Sequence, residues 1–95
     1  MDERLREVTE LVIDEFELQI SPEQLLERAA YSRDMAQMRD VVTALAHETG
    51  AVSWVPGARA VLQRCAQART NNAQFDRRYV LARFRLIDRF WKLPS

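Results

Sequence analysis

The sequence predicts an all-α, single-domain bundle of four to five helices spanning residues 1–95. Three observations carry this. Two glycines and three prolines in 95 residues are too few turn-formers for a many-stranded sheet. Apolar residues recur at three- and four-residue steps through most of the chain, the period of a helix with one buried face. Apolar residues at 47% and charged residues at 29% make a folded globule rather than a disordered tail. A chain of this length supports one hydrophobic core, not two.

The first helix is expected from Asp2 to Leu18, with Leu5, Val8, Val12 and Phe16 forming one inward stripe. Asp2 and Glu3 suit the positive end of its dipole. Ser21-Pro22-Glu23-Gln24 then opens a second helix. Ser21 is a good N-cap, Pro22 fits the first helical position, and Gln24 completes a capping box. That helix turns Leu25, Leu26 and Ala29 inward. It either breaks at Tyr31-Ser32 or continues as one bent rod. The third helix places Met35, Met38, Val42 and Leu45 on one face, flanked by Val41 and Ala46, and ends at Gly50, a residue suited to the left-handed C′ position. Ala51–Val55 reads as an ordered loop carrying Trp54.

The fourth helix starts at Pro56 or Gly57 and turns Ala58, Val61, Leu62, Cys65 and Ala66 inward. Thr70-Asn71-Asn72 breaks it, either asparagine serving as the next cap. The fifth helix runs from Ala73 to Lys92. Its Phe75, Tyr79, Val80, Phe84, Leu86, Ile87, Phe90 and Trp91 cover about 180° of the wheel. That breadth makes it either the central rod of the bundle or a helix with surface left for a partner.

The formal net charge of zero conceals a polarity. Met1–Asp34 holds ten of the fourteen acids and four arginines, a balance of −6. Met35–Ser95 holds ten of the fourteen bases and four acids, a balance of +6. On the first helix, Glu3, Glu7, Glu10, Asp14 and Glu17 follow steps of four and three, and so form an acidic strip opposite the core stripe. On the fifth, Arg78, Arg85, Arg89 and Lys92 fall within about 60° of one another, with Gln74 and Ala82 completing a basic strip opposite the apolar face. Such strips are either solvated faces or complementary docking surfaces, meeting within the fold, between two copies, or with two partners.

Catalytic chemistry finds no motif. His47 is the single histidine and stands beside Glu48, without the second histidine of a zinc helix. Cys65 is the single cysteine, which excludes an internal disulfide, and its place on an inward stripe is that of a small apolar filler. No glycine-rich phosphate loop and no calcium-loop spacing is present. No apolar run is long enough to cross a membrane. No enzyme activity, no cofactor, no metal and a cytoplasmic setting are therefore expected.

Ser21–Arg33 resembles the first helix and turn of a helix-turn-helix repressor, with Ala30 where such motifs favour glycine. The resemblance stops at the recognition helix, where Gln37, Arg39 and Asp40 stand at positions that want apolar anchors. The expected function is a non-enzymatic interaction module, an adaptor, regulator or assembly subunit that binds another protein or itself. Its expected contact residues are Arg78, Arg85, Arg89, Lys92 and Trp91 of the fifth helix, Trp54 of the loop, and Glu3, Glu7, Glu10, Asp14 and Glu17 of the first. The alternative is a subunit that binds nucleic-acid backbone through the basic strip.

Overall fold

The computed structural model describes residues 3–26, 33–52 and 57–90. Among them lie five α-helices and no strand: α1 (Glu3–Glu15), α2 (Pro22–Leu26), α3 (Arg33–Glu48), α4 (Ala58–Asn71) and α5 (Ala73–Phe90). The all-α bundle expected from the sequence is what forms. Whether the second and third helices join through Tyr31-Ser32 lies outside the described residues, as do Ala29, Trp54, Pro56, Trp91 and Lys92.

Local chemistry sets most of the boundaries. α1 stops at Glu15, three residues early, in a Schellman motif. The amide of Leu18 donates to the carbonyl of Ile13 at 2.9 Å and that of Glu17 to Asp14 at 3.2 Å. Glu17 takes the left-handed position that glycine usually fills, with φ 55°, a conformation costly for a residue with a Cβ. α2 opens on the expected capping box. The Ser21 amide donates to Oε1 of Gln24 at 3.0 Å, and the Gln24 amide to the Ser21 hydroxyl at 3.2 Å.

α3 ends where Gly50 turns left-handed at φ 73° and donates to the His47 carbonyl at 3.3 Å. A single residue, Asn72, separates α4 from α5. Its side-chain oxygen accepts from the amides of Gln74 and Phe75, both at 3.1 Å, so this one asparagine is the N-cap of α5.

The core is organised by α3, which touches all four other helices. Val41, Val42 and Leu45 are fully buried there, and Ala44 and Ala46 nearly so. Small alanines on the flanks of the apolar stripe let neighbours approach from several sides. Of the two alternatives for the fifth helix, the central rod is not the one that forms, since α5 meets only α1, α3 and α4. Val8, Thr9 and Val12 of α1, Leu25 of α2, Val61 and Cys65 of α4, and Phe75, Tyr79, Ala82 and Leu86 of α5 complete the core. Thr9 is buried without penalty because its hydroxyl donates to the Leu5 carbonyl at 2.7 Å. Ala66, expected inward, is exposed. The inward edge of α4 continues instead through Ala68, which packs against the core.

Candidate interaction surface

The two charged strips meet each other. Ala82 and Leu86, both fully buried, define the inward direction of α5, and Arg78, Arg85 and Arg89 flank it on the side facing α1. The strips therefore border the core along the α1–α5 seam instead of lying opposite it, and Ala82, counted in the basic strip, belongs to the core. Arg85 Nη1 bridges Asp14 Oδ2 and Glu15 Oε2, each at 2.9 Å. Arg89 clasps both carboxylate oxygens of Glu7, Nε at 3.3 Å and Nη2 at 3.2 Å. Arg78 Nη1 donates to the Glu15 carbonyl at 2.5 Å, closing the C-terminus of α1 where the helix dipole favours a cation. Its Nη2 stands 3.6 Å from Glu17.

The pairing raises the basicity of two guanidiniums. Hydrogen bonds to Asp14 and Glu15 hold the Arg85 proton more tightly than usual, and the bond to Glu7 does the same for Arg89. The other strip acids are placed differently. Glu10 pairs with Arg6 at 3.1 Å, and Arg6 reaches on to Glu23 at the start of α2. Glu3 is exposed and pairs with no described residue.

Exposed ion pairs contribute little singly, but Arg85 serves two carboxylates and one of them, Glu15, is 17% exposed in its side chain. Arg85→Glu is expected to lower the unfolding free energy by about 1–2 kcal/mol at low salt, solvent screening holding the figure down. At about 1 M salt the screening length falls to about 3 Å and most of the loss should vanish. Urea unfolding at the two ionic strengths measures it. An Arg85→Glu midpoint equal to wild type at low salt would show the seam to be energetically idle.

A different part of α5 is left open. Phe84 is 65% exposed and Leu81 44% exposed, with Val80 and Ile87 half-buried beside them. Sequence reading sends Phe84 into the core with the other aromatics, and the structure reverses that. The signal was available in Ala82 and Leu86, whose spacing fixes an inward direction from which Phe84 points away.

The remaining candidates for chemistry are dispersed. Cys65 is 3% exposed, and burial, with the negative charges of Asp40 and Glu48, pushes its thiol up to about 11. A thiol so held is a poor nucleophile at neutral pH. His47 is exposed on the last turn of α3, beside a shallow groove with Ala58, Leu62 and Ala66 of α4. Asp40 and Arg64 form a two-bond clasp at 2.8 and 3.0 Å between α3 and α4. No group of three or more His, Cys, Asp or Glu residues converges for a metal ion among the described residues. None of the described helices is long and apolar enough to cross a membrane. No protein-family model, curated protein or solved structure matches the chain.

Proposed function

We propose that this chain is a non-enzymatic interaction module, a small adaptor, regulator or assembly subunit, that binds protein through the outward face of α5. One observation carries the reading: a 65% exposed phenylalanine beside a 44% exposed leucine on an 18-residue helix. Large apolar side chains adjacent on a surface mark binding sites more often than chance, and aromatic residues dominate interface energetics. The arginines of the seam support the same choice of face, because Arg85 and Arg89 already hold carboxylates of α1 and so have less to offer a phosphate. A buried free thiol suits a reducing compartment, and we place the protein in the cytoplasm on that ground.

Affinity capture from native lysate with three baits tests the assignment: wild type, Phe84→Glu and Arg85→Gln, each checked by circular dichroism. A protein retained by wild type and Arg85→Gln and lost from Phe84→Glu is the expected result. Identical retention by all three baits would overturn the choice of face. Salt-sensitive retention of nucleic acid, lost with Arg85→Gln and indifferent to Phe84, would replace the proposal by backbone binding.

A further inference from the structure

We infer that the outward face of α5 pairs antiparallel with the same face of a second copy of this chain, about a two-fold axis. The inference rests on the reading of that face as a binding surface and names its occupant. Arg77, Leu81, Phe84 and Asp88 are all exposed, and their steps of four, three and four put them in one stripe along the helix. The stripe is self-complementary in one direction only. Antiparallel pairing sets Arg77 opposite the second copy's Asp88 and Leu81 opposite its Phe84, and the two-fold repeats both contacts. Parallel pairing would set Arg77 against Arg77 and Asp88 against Asp88. Neither Arg77 nor Asp88 forms an ion pair with a described residue, so both charges are available, unlike those of the seam.

The size of the face sets the strength. Eighteen helical residues make a strip about 27 Å long and about 10 Å wide, well short of the roughly 800 Å² per partner of a standard stable interface. The dimer is therefore weak and concentration-dependent, as suits an association that is regulated by abundance or displaced by another ligand of the same face.

Sedimentation equilibrium of the full chain from about 10 µM to about 1 mM tests this. The weight-average mass should climb from 11.1 kDa toward twice that value. Phe84→Glu, with unchanged helical dichroism, should weaken association at least tenfold. Arg77→Asp and Asp88→Arg should each do the same alone, because each brings like charges together. Mixing the two variants should restore dimers, since every reversed charge then meets its opposite. A wild-type chain that stays monomeric throughout, association that survives Phe84→Glu, or a mixture no better than its components would each overturn the inference. A monomeric wild type that still captures a protein through Phe84 would leave the binding face standing with another occupant. Self-association without any captured protein would leave the dimer standing alone.

Discussion

Replacing Tyr79 by alanine is expected to destabilise the native state by about 4 kcal/mol, within the range for deleting a fully buried aromatic ring. Tyr79 is 1% exposed and is the largest of the fully buried side chains. Its ring centroid lies 6.4 Å from that of Phe75, which in turn lies 5.6 Å from that of Phe16 in the turn after α1. The Arg69 guanidinium of α4 sits 4.5 Å above the Tyr79 ring centroid, where the negative face of the ring attracts a cation. Asp76, 2.6 Å from Arg69 Nε, keeps that guanidinium in place. Removing the ring therefore leaves a cavity between α4 and α5 and strands an arginine over it. For a domain of this size each kcal/mol is worth about 4–8 °C of melting temperature, so a fall of roughly 15–30 °C follows. Urea unfolding should show a lower midpoint with an unchanged slope. Tyr79→Phe, which keeps the ring, should cost about 1 kcal/mol. If the two variants proved equally unstable, the hydroxyl and not the packing would be the larger contribution.

What the sequence discloses divides by the range of the interaction. The Ser21–Gln24 capping box, the turn at Gly50 and the Asn72 cap are built from residues within three or four positions of one another, and all three are legible in one dimension. So are the stripes of Val8 and Val12, of Met38, Val42 and Leu45, and of Val61 and Cys65, since period alone assigns a face. The partner of a face is another matter. Nothing local says that Glu7 belongs to Arg89, 82 positions away, and charge complementarity allows a meeting within the chain as readily as between chains. Reading α5 by its largest side chains also misplaced its inward direction. Phe84 drew it away from the small Ala82, which is fully buried. Glu17 failed for a further reason: the helix had already ended, and a left-handed residue without glycine gives no signal in composition.

Raising the pH from 9 to 11 is expected to remove about 2 kcal/mol of stability through Cys65 alone. The thiol sits at an ordinary 9.0 when exposed and is pushed to about 11 in the native state by burial, then by Asp40 and Glu48. Between those values the unfolded chain has released the proton and the folded chain still holds it. The unfolded state binds fewer protons, so stability must fall as pH rises, by about 1.4 kcal/mol per unit across the window. Below pH 9 both states hold the proton and the contribution is constant. Tyr79, raised by burial and by Glu48, adds a slope of the same sign above its ordinary value of 10.0. The basic side chains do not blur the result, because thirteen of the fourteen are arginines, which stay charged to pH 11, so the α1–α5 seam persists through the titration. Urea midpoints of wild type and Cys65→Ala at pH 8, 9, 10 and 11 separate the two groups. The variant should be flat from pH 9 to 10, where the wild type declines, and should show only the tyrosine slope above that. Equal declines in both proteins would mean that the thiol is ionised as easily in the native state as in the unfolded one, and that the packing of α3, α4 and α5 around it is looser than its 3% exposure implies.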